Sequence, residues 1–392
     1  MRDSYDVVVA GGGPSGSMAA WEAAKGGLSV CLLEKDKKIG TPVRCGEAIS
    51  DIGLSQFIQP KSNWIAAKIT SVKMVAPNNV DVDVDFHKET GYILNRTIFD
   101  NDLSKVAIDA GAEVYTESYV SNVIKENDFV TGVEVERFGE KKVISCKILI
   151  GADGVASRVG RWAGIRTLVK MRDMESCYQY LVSNIDIDQS QMVMYVGKQH
   201  APGGYLWIFP KGNKYANIGI GISGKYSKEK SAKSYLDDFM GQNFPKASIE
   251  EAVCGGVPCP KPHDKPYGNG IMLSGDAAHH INPVTGGGIA AGMKSGKIAG
   301  QIAVQAISNN DVSEKYLKKY MNLVMKDFGK RHQSLHNIKN TINKLSDDDL
   351  NSIASKVSST PKEKRTLTGV FKTAVYRKPS LIFDVIKAFA GS

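Results

Sequence analysis

The chain has 392 residues, 42% hydrophobic and 23% charged, an ordinary globular composition that excludes a disordered or fibrous protein. At this length one hydrophobic core no longer suffices, so two or three lobes are expected. The net charge of +9 sits largely in residues 311–392, which carry 16 Lys and Arg against 8 Asp and Glu; the remainder is nearly balanced. A basic tail of this kind suits an anionic membrane surface or lipid head group as well as it suits nucleic acid.

In chain order, a polar turn leads directly into a strand, so no signal peptide is expected, and no uncharged apolar run reaches the ~20 residues of a membrane-spanning helix. Residues 5–35, YDVVVAGGGPSGSMAAWEAAKGGLSVCLLEK, read as one βαβ unit. Val7–Val9 are continuously apolar, as a parallel strand buried on both faces requires. Pro14 falls in the first helical turn, Gly26-Gly27 end the helix, and Leu28–Leu33 form the second strand. Segments 69–75, 80–86 and 90–94 read as short strands and 98–111 as a helix. Several strands then fill 113–150. Alternation and aromatic content predict an antiparallel sheet over 175–222, with a helix over 227–242. A helix follows the glycines near 287 and runs to about 307. From 312 onward the pattern is helical, with breaks near 345–347, 359–361 and Pro379. Nothing in it resembles a nucleic-acid reader.

Three motifs carry chemistry. GGGPSG satisfies GxGxxG through Gly11, Gly13 and Gly16: a tight turn, a close approach to pyrophosphate, and a close helix–strand packing. Glu34 ends the second strand at the distance suited to a ribose diol. IGADGVASRVG (150–160) brings an apolar strand to Asp153-Gly154. LSGDAAHHINPVTGGGI (273–289) brings another to Gly275-Asp276, then to Gly287, Gly288 and Ile289 at a helix start. The first motif serves FAD and NAD alike. The set of three in this order resembles the FAD flavoproteins typified by para-hydroxybenzoate hydroxylase. That resemblance implies FAD, with Asp276 on a ribityl hydroxyl, the following helix N-terminus at the flavin pyrimidine, and Arg96 near the flavin. A helix N-terminus there favours the negative charge of reduced flavin.

Within that group PVRCGE (42–47), NRTIFD (95–100), GGYLWIFPKG (203–212) and GDAAHHINPVTGGGI (275–289) resemble the geranylgeranyl reductases, in particular those acting on archaeal digeranylgeranylglycerophospholipids. The resemblance implies an FAD-dependent reductase of isolated C=C bonds in geranylgeranyl chains. It places Ser15, Arg44, Cys45, Gly46, Ala48 and Val120 among the cofactor contacts. Tyr205, Trp207 and Phe209 would line the prenyl cavity, and their alternation independently puts three aromatics on one strand face. Flavin halogenases carry WxWxIP at a comparable place; Tyr205 and Phe209 break that pattern. A monooxygenase or halogenase of the same fold, or an electron-transfer flavoprotein reducing a quinone, are the alternative readings.

Cys45 is the candidate catalytic residue, as proton donor or modulator beside the flavin. Arg44 would favour its thiolate and Glu47 oppose it. The six cysteines form no CxxC, and Cys254 and Cys259 read as separate thiols, which suits a reducing cytoplasm. His279 and His280 read as structural. His332 and His336, i and i+4, read as a solvated helix face rather than a metal site. The last helix, 381–390, has an apolar stripe suited to packing on the body or to peripheral membrane contact. The electron donor is external and left open among NADPH, ferredoxin and deazaflavin, since no second dinucleotide fingerprint occurs.

The expected architecture is α/β. A discontinuous Rossmann-type FAD-binding domain comprises 1–68, 95–170 and 260–307. An antiparallel-sheet substrate domain comprises 69–94 and 171–259, and a helical C-terminal region comprises 308–392.

Overall fold

Ser4–Ala10 pairs in parallel with Val30–Leu33 on one side and Glu140–Gly151 on the other. In this computed structural model, which describes residues 1–87, 89–361 and 365, Glu113–Tyr115 and Ile271–Leu273 extend that sheet in parallel. Side chains of a strand alternate, so Val7 and Val9 enter one apolar layer and Val8 and Ala10 the other. That double burial is why the strand reads as an unbroken apolar run. One layer is helical, with Pro14–Lys25, Ile289–Ser308 and Glu314–Val324. The other is supplied by the antiparallel ribbon Ser118–Glu126, Phe129–Arg137 and Glu140–Gly151. The first two helices approach through glycine: a Cβ on Gly296 would lie 2.1 Å from the Ser15 carbonyl oxygen.

Contacts divide the chain into two units, the first made of Met1–Val43, Arg96–Leu168 and Pro260–Gln333. The second holds Arg44–Asn95, Val169–Cys259 and the described residues from Ser334 onward. Its main sheet runs Ser248–Pro258, Met174–Ser183, Ala216–Ser223, Tyr205–Pro210, Gln191–Val196, Ser71–Val75, Asp81–Asp85. Every pair is antiparallel except Gln191–Val196 with Ser71–Val75, which is parallel. One face carries Ile218, Ile220 and Ile222 under the helix Ala232–Asn243. A three-stranded sheet of Ala48–Ser50, Gly91–Leu94 and Ile65–Ile69 belongs to the same unit.

The Rossmann-type sheet, the largely antiparallel sheet of the second unit and the C-terminal helices match the expected fold class. The division of the chain differs from the sequence expectation in two places. Segment 44–68 joins the second unit because Ala48–Ser50 and Ile65–Ile69 both pair with Gly91–Leu94. The described residues after 308 also do not form a separate helical region. Leu317, Tyr320, Met321 and Val324 complete the core of the first unit, and Asp347–Ser358 packs on Val72, Val82 and Val84 of the second. Ser248–Pro258, one of the longer strands, had no clear sequence signal. Cys254 is exposed, Cys259 is buried, and neither is in a disulfide. The apolar stripe of 381–390 lies outside the described residues.

Candidate functional site

In the first unit the glycines are fixed by sterics. Gly11 has φ +109°, and a Cβ there would lie 2.3 Å from the Ala152 carbonyl oxygen; on Gly16 it would lie 1.8 Å from that of Gly11. Gly13 differs, since a Cβ there would meet nothing within 4 Å. It precedes Pro14–Lys25 with no side-chain cap, which leaves a helix N-terminus open to an anion. The Glu34 carboxylate accepts from the N–H of Gly12 at 2.8 Å and of Asp36 at 2.9 Å, so it latches the turn as well as suiting a ribose.

Asp153 accepts from the Val159 N–H through Oδ2 at 3.0 Å, while its buried Oδ1 has no hydrogen-bond partner among the described residues. Burial raises this carboxyl above the usual range, against its backbone hydrogen bonds. Asp276 stands beside the start of Ile289–Ser308: a Cβ on Gly288 would lie 3.1 Å from its Oδ1. Burial raises its carboxyl too, and Arg96 works in the opposite direction. Gly287 is exposed and Ile289 buried at the same helix start. Arg96 grips Asp100 through Nε and Nη2, at 2.6 and 2.5 Å. Val120 packs its side chain into the apolar layer with Val133 and Val135.

Sequence reasoning missed two serines here. Ser15 Oγ is 2.7 Å from Ser274 Oγ, which donates to Ser295 Oγ at 2.9 Å, and Ser295 Oγ accepts the Gly275 N–H at 3.1 Å. This hydroxyl chain ties the first glycine turn to the Gly275-Asp276 motif. No spacing rule marks such serines in advance. The orphaned Asp153 oxygen, the open helix start at Gly13 and the carboxylate at the second helix start suit the hydroxyls and phosphates of a dinucleotide. The residues present fit FAD.

The histidines divide. His279 Nε2 lies 3.1 Å from the Thr167 carbonyl oxygen, and burial lowers the ring to about 4. His280 is fully buried, neither ring nitrogen has a partner among the described residues, and burial lowers it to about 3. It packs edge-on against Phe328, whose ring also meets His332. His332 is therefore core, correcting the expected solvated face, and His336 is hydrogen-bonded to Asp173. No group of three metal-ligating side chains occurs among the described residues.

In the second unit Tyr205, Trp207 and Phe209 share a sheet face, with successive ring centroids 5.8 and 6.1 Å apart. Trp207 and Phe209 cluster with Ala67, Ile69 and Ile93, against which Ala48, Met192 and Met194 also pack. The indole lies over Gly219, where a Cβ would be 2.4 Å away. Gln179 holds it there: Trp207 Nε1 donates to Gln179 Oε1 at 3.0 Å, and Gln179 Nε2 donates to the Cys45 carbonyl oxygen at 3.1 Å. One side chain thus orients both the aromatic wall and the cysteine loop.

Gly46 follows Cys45 against Phe209, 2.9 Å from the nearest ring carbon to a Cβ built there. Arg44 is exposed. Glu47 adopts φ +69° and is buried, its Oε2 accepting from Lys211 Nζ and, at 2.6 Å, from Asn217 Nδ2. Its N–H donates to Cys45 Sγ at 3.2 Å. Glu47 was expected to oppose a thiolate through its charge. Here Lys211 and Asn217 engage the carboxylate, and an N–H bonds to the sulfur instead.

Gln179→Leu keeps the side-chain bulk but leaves the buried indole N–H and the Cys45 carbonyl without this partner, at a cost of about 1–3 kcal/mol for each group. A lower urea midpoint and a shifted tryptophan emission are expected, with bound flavin retained. An unchanged midpoint would show that the bridge carries no weight.

Comparison with known proteins bears on both units. The geranylgeranyl reductase catalytic domain matches residues 173–257, and the FAD binding domain matches residues 6–56. Digeranylgeranylglycerophospholipid reductase 1 of Methanococcoides burtonii is 45% identical, over 99% of this chain and 96% of its own. The digeranylgeranylglycerophospholipid reductase of Methanocella arvoryzae is 40% identical over 98% of this chain and 99% of its own. A geranylgeranyl bacteriochlorophyll reductase-like protein of Thermoplasma acidophilum superposes with a TM-score of 0.93 at 36% identity, over 98% of this chain and 99% of that one. The flavin-dependent brominase Bmp2, at 18% identity and a TM-score of 0.70, shares the fold. With FAD as its cofactor, the chain belongs to the digeranylgeranylglycerophospholipid reductase family.

Proposed function

We propose that the protein is an FAD-dependent reductase that saturates isolated C=C bonds in the geranylgeranyl chains of digeranylgeranylglycerophospholipids. The observation that carries this reading is the apolar wall of Tyr205, Trp207 and Phe209, inside the segment matched by the geranylgeranyl reductase catalytic domain. A trisubstituted alkene offers no polar handle at the reacting bond, so recognition rests on shape and burial. A wall of aromatic, isoleucine and methionine side chains supplies both.

When bound, reduced FAD supplies a hydride. The protein's contribution is to exclude water, hold the chain and deliver a proton. Gly11, Gly13, Ser15, Gly16, Glu34, Asp153, Gly275, Asp276, Gly287, Gly288 and Ile289 would hold the cofactor, with Arg96 and Val120 from neighbouring elements. Arg44, Cys45, Gly46 and Ala48 would complete the contacts. Cys45 would act as proton donor or as a modulator of the cofactor, and its loop is pinned by Gln179 and by the Glu47 carboxylate. An oxygen-using halogenase or hydroxylase is disfavoured, since Tyr205 and Phe209 depart from the halogenase motif and the brominase likeness extends to the fold alone. The electron donor is external.

The test is a single turnover without oxygen. Protein reduced with dithionite and mixed with digeranylgeranylglycerophospholipid should reoxidise while the lipid gains two hydrogens per double bond. Cys45→Ala should slow that step by about a hundredfold with flavin content unchanged. Flavin that stays reduced until air enters would refute the reductase reading. Full turnover by Cys45→Ala would refute only the role of the thiol.

No helix among the described residues is long and apolar enough to cross a membrane. The basic excess of residues 311–392 supports peripheral contact with anionic lipid, on the cytoplasmic face. The protein should sediment with phosphatidylserine vesicles at low salt and leave them at high salt. Protein remaining in the supernatant at low salt would contradict this contact.

A further inference from the structure

Along Met174–Ser183, Glu175, Cys177 and Gln179 alternate onto the sheet face where Gln179 holds the Trp207 indole. A carboxyl on that face is costly to bury. Glu175 is 9% exposed, its Oε1 lies 3.4 Å from Lys339 Nζ, and its buried Oε2 has no hydrogen-bond partner among the described residues. An unsatisfied buried polar atom costs about 1–3 kcal/mol, so its presence calls for an explanation.

The groups around it form a path. Lys339, 5% exposed, also donates to the Cys259 carbonyl oxygen at 3.0 Å and lies 4.0 Å from Asp173 Oδ1. Asp173 Oδ1 is 3.1 Å from His336 Nε2, and His336 Nδ1 is 3.4 Å from the amide of Asn340, which is exposed. The side chain of His336 is 18% exposed, so the path leads from the surface to the inner face of the sheet.

The reaction needs such a path. Each alkene takes a hydride from reduced FAD to form one C–H bond, and its π electrons take a proton to form the other. The cofactor loses two electrons, the alkene gains them, and one proton must enter an apolar site for every double bond. We propose that Glu175 is the loading point for this proton, refilled from solvent along His336, Asp173 and Lys339.

Burial pushes the Glu175 carboxyl up to about 7, against the pull of Lys339. The acid form is therefore populated at neutral pH and lost above it. The groups facing it from other elements are Lys339 on the neighbouring helix, Asp173 in the turn before its own strand, and Tyr205 on Tyr205–Pro210, with His336 behind Asp173. Burial raises the Tyr205 hydroxyl and pushes the Cys177 thiol up to about 12, so both stay neutral across this range. Asp173 is held below the usual carboxylate range: burial pushes it up, but His336 and Lys339 outweigh burial. It stays ionised while Glu175 titrates.

This inference rests on the reductase reading, and its experiment separates the two. Flavin-loaded enzyme reduced with dithionite is mixed anaerobically with digeranylgeranylglycerophospholipid across the neutral pH range. The wild-type single-turnover rate should fall as pH rises through about 7. Glu175→Gln should be about a hundredfold slower and insensitive to pH, with its flavin spectrum unchanged. His336→Gln should slow repeated turnover more than the first, and added imidazole should restore it. Independently of activity, infrared titration of the wild type should show a protonated-carboxyl band lost near neutrality and missing from Glu175→Gln. Should that variant lose its flavin, the imidazole rescue of His336→Gln and the wild-type titration decide. An active Glu175→Gln enzyme with the wild-type pH profile, or a wild type with no titrating band, overturns the proton role alone. A wild type that leaves the lipid unreduced overturns the reductase reading, and the proton role with it.

Discussion

The indole of Trp207 can lie over the sheet of the second unit only because position 219 has no side chain. A Cβ there would sit 2.4 Å from the ring, so any other residue would lift the indole from the sheet. With the ring seated, its N–H reaches Gln179, and the other end of Gln179 reaches the carbonyl of Cys45. Phe209, two residues further on, closes against Gly46. One missing methyl group therefore sets the aromatic wall and, through a single amide, the loop that carries the thiol.

Charge is buried on the same terms. Glu47 holds a left-handed backbone conformation that a residue other than glycine adopts at a cost, and its carboxylate is met by Lys211 and Asn217. Glu175 is compensated less completely, by Lys339 alone on one oxygen. The contrast separates an anchor from a group able to change its protonation. In the first unit close packing again does the positioning: Gly11 and Gly16 let backbone meet backbone, and the Ser15, Ser274 and Ser295 hydroxyls fasten the two glycine-rich turns together.

Much of this was legible in the sequence, where a residue's meaning is local. Glycine turns have steric requirements within a few positions, a strand buried on both faces reads as an apolar run, and aromatics at every second residue share a face. These gave the nucleotide fold and the aromatic wall. What escaped depends on partners far apart along the chain. Gln179 and Cys45 are 134 residues apart, and Glu47 and Asn217 are 170. Nothing near position 47 announces that its charge will be met by a lysine beyond 200. Segment 44–68 was misassigned because strand pairing, which decides its unit, leaves no trace in composition. His332 looked solvated because helix spacing alone does not reveal that Phe328 and His280 await it in a core.

The central claim is that an isoprenoid chain lies along the Trp207 face of the second unit's main sheet. A crystal structure of the oxidised, flavin-loaded protein with digeranylgeranylglycerophospholipid bound tests it most directly. The account predicts continuous chain density against Tyr205, Trp207 and Phe209, bounded by Ala67, Ile69 and Ile93. Lipid bound at full occupancy elsewhere, with these side chains packed only on one another, would contradict it.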